Sequence, residues 1–271
     1  MIKWGFVTAA FGNTEMINAG KRLSEQALQF NLFHHIYNFK YPDLETWAPK
    51  TFVKYQEFLS VNHKGFGYYA WKPELVHNVL NRDSEIDGII WLDAGCELFY
   101  SPWNKSRLSR YLTTTSKNGY LAYQLDYPES HYTKNDLFNF FSADPWMKYS
   151  PQFQATFIGL HGLRGKQIAQ KWFKSSIADI HNLNLVESNS PENLDFIEHR
   201  FDQSVFSLTM KTMNLKSNCW VPPMGVKSMK STINSFFSPI WTARNRGGVS
   251  IIPKIFQVIV RVFNLKRYMR N

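Results

Sequence analysis

One continuous apolar run in this chain ends on an acid. In DGIIWLDAGCELF, Ile89, Ile90, Trp91 and Leu92 lead directly into Asp93 and then Ala94-Gly95. A β-rich run without polar alternation reads as a strand buried on both faces, as a parallel strand between two helical layers must be. Open α/β sheets bind ligands beyond the carboxyl ends of such strands, so Asp93 stands where a ligand is expected. The plainer reading is a strand-end carboxylate that only caps the next turn.

The segment upstream, KGFGYYAWKPELVHNVL, combines a loosened loop with ring faces. Gly65 and Gly67 free the backbone, Tyr68, Tyr69 and Trp71 supply aromatic surface, and Pro73 suits the first turn of a helix. Lys64 and Lys72 are candidate phosphate contacts, and Trp71 or Tyr68 a candidate stacking partner for a base or sugar ring. The alternative puts Trp71 and Tyr69 in the core and leaves the lysines solvated.

Around these segments, helical and extended patterns alternate. Strands are expected at 2–8, 33–37, 88–92, 119–124 and 153–159. Helices are expected at 14–30 with Thr14 as N-cap, 47–61, 73–81, 166–177 and from about 201. This alternation predicts one α/β, Rossmann-like domain over 1–215 with a mostly parallel central sheet. A chain of 271 residues that is 44% hydrophobic and 16% aromatic can fill such a core.

The start of the chain reads as a strand rather than a secretory leader, and no apolar run approaches the roughly 20 residues of a membrane span. Cys96 and Cys219 give no disulfide framework and fit a reducing cytoplasm. The formal charge of +10 is concentrated, because no Asp or Glu follows Asp202. Residues 216–271 are therefore expected to form a basic arm. Within it, about 253–269 has a wide apolar face and a stripe of Lys254, Gln257, Arg261, Asn264 and Arg267. Such a helix either lies on an anionic membrane surface or docks on the domain itself.

A second constellation is EHRFDQSVFSL, where His199, Asp202 and Gln203 gather polar chemistry before an apolar-spaced helix; Asp202 alone would also suit an N-cap. No phosphate-binding P-loop, nucleophile elbow or dinucleotide fingerprint is present, and His34, His35 and His77 read as structural.

Taken together, KGFGYYAWKP, IIWLDAGCELF and EHRFDQSVFSL resemble bacterial nucleotide-sugar glycosyltransferases of the A-type fold, which build surface polysaccharides such as lipopolysaccharide or capsule. The resemblance covers roughly residues 2 to 210. It implies a nucleotide-sugar donor, a glycan or lipid-linked acceptor, and a divalent cation, Mn or Mg, held at the acid after the strand. Asp93 and Glu97 would be the metal ligands, with Gly95 standing where the family commonly has a second aspartate. The turn from Thr8 to Gly12 would receive the base, His199 would contact diphosphate or metal, and Asp202 and Gln203 would hold the sugar.

An inverting transferase needs a carboxylate base for the acceptor hydroxyl, and Asp126, Glu129 and Asp136 are candidates; a retaining one does not, so the stereochemistry stays open. The implied location is cytoplasmic, at the inner face of the cell membrane. Two other readings remain: a nucleic-acid-binding protein using the basic arm, and a catalytically silent relative that binds glycan.

Overall fold

A computed structural model describes residues 2–219, 238–242, 244–245 and 247–248. The expected helix at 253–269 and most of the basic arm lie outside these residues. From the amino end the elements are β1 (Trp4–Ala9), α1 (Thr14–Gln29), β2 (His35–Phe39), α2 (Leu44–Trp47), α3 (Pro49–Lys54), α4 (Gly65–Tyr68), α5 (Trp71–Arg82), β3 (Gly88–Leu92) and β4 (Glu97–Leu98). Then follow α6 (Pro102–Asn118), β5 (Tyr120–Leu121), β6 (Gln124–Pro128), α7 (Asn135–Phe140), α8 (Pro145–Tyr149), β7 (Pro151–Phe153), β8 (Phe157–His161), α9 (Gly162–Ala178), α10 (Phe201–Thr212) and β9 (Ile240–Trp241).

The central sheet has the order β2-β1-β3-β8-β5. β1 runs parallel to β2 and β3, and β8 runs antiparallel to both its neighbours, so four of the five strands share one direction. The α/β class and the mostly parallel sheet are as the sequence predicts. β3 shows why its sequence is apolar throughout. Ile89 and Trp91 enter a core with α5 and α9, whereas Ile90 and Leu92 enter a second core with α1 and α6.

Some boundaries differ from the expectations. Asn13, not Thr14, caps α1, accepting a hydrogen bond from the Met16 amide at 3.0 Å. The single helix expected at 47–61 is broken, because Pro49 starts a new helix at its first turn and Ala48 leaves helical geometry. The strands expected at 119–124 and 153–159 each divide in two, one piece joining the central sheet and the other pairing as β6 with β7.

Between α3 and α5 the chain makes an unusual turn. Gly65, Phe66, Gly67, Tyr68 and Tyr69 all have positive φ, from 55° to 92°, and the Tyr68 and Tyr69 amides donate to the Lys64 and Gly65 carbonyls. α4 is thus a left-handed helical turn. Three of the five positive-φ residues bear side chains, each disfavoured there by roughly 1–2 kcal/mol. Trp71 offsets part of this by donating its indole N–H to the Gly65 and Phe66 carbonyls at 3.2 and 3.1 Å.

Candidate functional site

β3 delivers Asp93 to the carboxyl edge of the sheet, where its amide donates to the Thr156 carbonyl at 3.0 Å. α5 runs back along the sheet and places Lys72 beside it, and α10 brings Asp202 from more than a hundred residues away. Lys72 Nζ lies 2.8 Å from Asp93 Oδ1 and 3.0 Å from Asp202 Oδ2. Trp91 Nε1 donates to the same Asp93 Oδ1 at 2.8 Å. The two acidic motifs of the sequence therefore meet on one buried ammonium.

The electrostatics follow from burial. Lys72 is 2% exposed, which alone would lower its pKa, but Asp202 and Asp93 override this and hold the ammonium above its ordinary value. Burial pushes the Asp202 carboxyl up to about 6; Lys72 opposes the rise and the charge of Asp93 adds to it. Asp93 keeps about a third of its side chain exposed, so it is the member of the trio that faces outward.

The surrounding wall is aromatic. Phe201, itself at φ +48°, stacks at 5.8 Å on Tyr68 of the left-handed turn, and the exposed Lys64 lies 5.0 Å over its ring. Strained backbone on both sides of one ion-pair trio is the kind of outlier that motivates a functional reading.

Several expected contacts are placed differently. Lys72, expected to contact phosphate, has its ammonium between two carboxylates. Trp71 is buried and bound to the turn, so its ring faces the core. His199 is buried, with Nε2 on the Asn182 carbonyl at 3.0 Å and Nδ1 3.4 Å from the Lys134 amide. Burial, with the nearby charge of Lys134, lowers its pKa to about 3, and the neutral ring has no nitrogen left for phosphate or metal. Thr8, expected to open the turn that receives a base, is instead fully buried inside β1.

Gln203 is half-buried and bonded within the protein, its amide donating to Gln152 Oε1 at 2.7 Å. Among the candidate bases, Glu129 is sealed in with Lys211, Thr133 and Gln152. Asp136 is engaged by His181, Asn189 and Ser190, whose hydrogen bonds outweigh burial and hold its carboxyl below the usual range. Asp126 is exposed on β6.

The expected metal ligands do not form a pair. Glu97 is wholly buried, with Oε1 accepting from Asn245 at 2.6 Å and Oε2 from Gln26 at 3.4 Å, while Asp93 is bound to Lys72 and Trp91. Magnesium and calcium sites need several oxygens converging on one point, and these two carboxylates serve different partners, so the residues present do not fit a cation held by Asp93 and Glu97. Among the described residues, a three-ligand grouping occurs at His34, His35 and Glu85. His35 begins β2, level with Ile89 of β3 through Gly5, so this group lies about 13 Å toward the amino ends of the strands from Asp93.

Residues that the sequence reading passed over complete the surroundings. Arg200 sits within the quoted EHRFDQ segment and stacks its guanidinium 3.4 Å from the Tyr132 ring centre. Arg22 is buried under the turn after β3 and donates to the Ala94 and Cys96 carbonyls at 3.1 and 2.8 Å. Its place in an ordinary amphipathic helix carried no signal of that role.

No protein-family model matches the chain, and no curated protein does either. Among solved structures, it is similar to a glycosyltransferase involved in the glycosylation of the major capsid of PBCV-1, at 12% identity and a TM-score of 0.38, covering 64% of this chain. The chain spans 65% of the length of that structure. It is also similar to mouse xyloside xylosyltransferase 1 in its apo form, at 14% identity and a TM-score of 0.43, covering 80% of this chain and 84% of the other.

Proposed function

We propose that this protein is a glycosyltransferase that moves a sugar from a nucleotide-diphosphate donor onto a glycan or lipid-linked acceptor, in the synthesis of a cell-surface polysaccharide. The observation that carries this reading is the Lys72 ammonium held at 2.8 and 3.0 Å between Asp93 and Asp202. It joins the two segments whose sequences resemble the transferases, at the edge of the sheet where α/β proteins bind ligands.

In this reading, donor and acceptor meet at the outward face of the trio. Asp202, desolvated and locked on Lys72, accepts hydrogen bonds from sugar hydroxyls, and its fixed charge stabilises positive charge growing at the anomeric carbon as the bond to the diphosphate lengthens. Trp91 and Lys72 hold Asp93 in one orientation. The Tyr68 and Phe201 rings form an apolar wall that keeps water from the reacting carbon. Asp126, exposed on β6, is the residue we assign to the acceptor proton if the reaction inverts. A surface-bound acceptor accords with the basic composition after Asp202, and with a site of action at the inner face of the membrane.

Turnover of UDP-, GDP-, CDP- and dTDP-sugars, followed as release of nucleoside diphosphate, tests the proposal. Release from one nucleotide family, lost in both Asp93→Ala and Asp202→Asn, supports it. Absence of turnover and of binding across the whole panel would sink it and return the nucleic-acid and glycan-binding readings.

A further inference from the structure

The disagreement between the residues at the site and a cation-binding pair has a structural counterpart. The turn after β3 closes with the Cys96 amide on the Asp93 carbonyl at 2.9 Å. Residues of a distant part of the chain, 244–245 and 247–248, lie against this turn. The Asn245 amide donates to the Gly95 carbonyl at 2.9 Å, and the Asn245 side chain reaches Glu97 at 2.6 Å. Arg22 fastens the two layers from beneath, donating to the carbonyls of Ala94 and Cys96 on one side and of Asn245 and Gly247 on the other.

The consequence is specific for Arg244. A side-chain carbon on Gly95 would lie 3.5 Å from the Arg244 Cα, so Arg244 packs directly on the position where a second aspartate would stand. Its own backbone is held left-handed, at φ +51°, and the residue is exposed. Arg200 has its guanidinium 3.4 Å from the Tyr132 ring centre, its Nε 3.8 Å from Glu198 Oε1, and its amide donating to the Tyr132 carbonyl at 3.1 Å. Arg200 lies two residues before Asp202, and the Arg244 backbone packs on Gly95, two residues after Asp93, so the chain brings each arginine next to one acid of the trio. Burial lowers the Arg200 pKa; Tyr132 and Glu198 oppose this, and the charge of Arg244 adds to it.

We propose that Arg200 and Arg244 are a fixed anion clamp that binds the diphosphate of the donor directly, in place of a divalent cation. Guanidinium groups suit this because each offers several N–H donors in a planar fork that matches phosphate oxygens, and they remain charged at any working pH. As the acceptor oxygen bonds the anomeric carbon and gives up its proton, the sugar–phosphate bond breaks, its electron pair stays on the departing diphosphate, and the two guanidinium charges stabilise that added charge. The inference rests on the transferase reading and names the group that neutralises its leaving group.

The test is calorimetric titration of the full chain with UDP, GDP, CDP and dTDP, in EDTA and again with manganese or magnesium. We expect one of these nucleoside diphosphates to bind in EDTA with affinity little changed by metal. Arg244→Ala should weaken it about tenfold or more while leaving binding of the corresponding nucleoside unchanged, and Arg200→Lys should weaken it less. Binding that requires metal, or an Arg244→Ala protein that binds as tightly as the parent, would overturn the clamp and leave the transferase reading standing. Failure of all four nucleotides to bind under either condition would overturn both.

Discussion

Replacing Lys72 by methionine keeps the length and apolar stem of the side chain and deletes only its charge. The structure makes this a severe change. Nζ is the ion partner of Asp202, which is 5% exposed, at 3.0 Å, and of Asp93 at 2.8 Å. Removing one partner of a buried pair leaves an uncompensated charge and costs about 3–5 kcal/mol. A domain of ordinary stability has about 5–15 kcal/mol in total, so the variant should fold but unfold at much lower urea.

The pH dependence gives the sharper check. The folded Asp202 pKa, about 6 in the parent, already lies above its ordinary 3.8, so this group favours folding at low pH and that contribution is lost as pH rises through 6. Without Lys72 its pKa moves higher still. Urea unfolding followed by tryptophan fluorescence should therefore show a large loss for Lys72→Met at pH 7.5 and a clearly smaller one at pH 5, where Asp202 is protonated. Equal losses at the two pH values, or none at pH 7.5, would refute the argument that Asp202 is held ionised by Lys72.

The same carboxylate should control activity: the parent's donor turnover should climb with pH through about 6, and Asp202→Asn should show a low rate without that step, read from a pH–rate profile. Gly67→Ala should destabilise by about 1–2 kcal/mol or more in thermal or urea unfolding, because φ is +92° and the new methyl would meet the Phe58 carbonyl oxygen at 3.0 Å. Glu129→Gln should cost about 3–5 kcal/mol in the same assay, since Glu129 and Lys211 are both essentially unexposed. The Gln variant should nevertheless bind nucleoside diphosphate if it is assayed while folded, because Glu129 lies behind Gln152 rather than in the trio.

Much of the architecture was legible in the amino-acid pattern because it depends on local periodicity. The fully apolar 88–92 could only be a strand with both faces covered, and the helical spacing of 14–29 and 201–212 produced α1 and α10 almost where expected. Composition and motif likewise singled out Asp93 and Asp202 as acids at the ends of elements. What pattern could not carry is which side chain each acid meets. Lys72 looks identical in sequence whether it is solvated or enclosed. Its burial depends on α5 and α10 closing over it from positions 130 residues apart, and Glu97 is removed from Asp93 only because Asn245 and Gln26 claim it.

The same holds for the left-handed turn. Two glycines permit positive φ at their own positions, but Phe66, Tyr68 and Tyr69 are held there by Trp71 and Phe201 across the fold. The sequence alone determined the alternation of layers, a mostly parallel sheet and the strand end at which a ligand is expected, since hydrophobic burial follows short-range periodicity; that β8 runs antiparallel was not legible. Only the tertiary structure decided that a lysine joins the two acids, that a histidine is sealed away and that Arg244 packs on Gly95. Ion pairs and hydrogen bonds require atoms within about 3 Å, and that proximity is created by long-range packing.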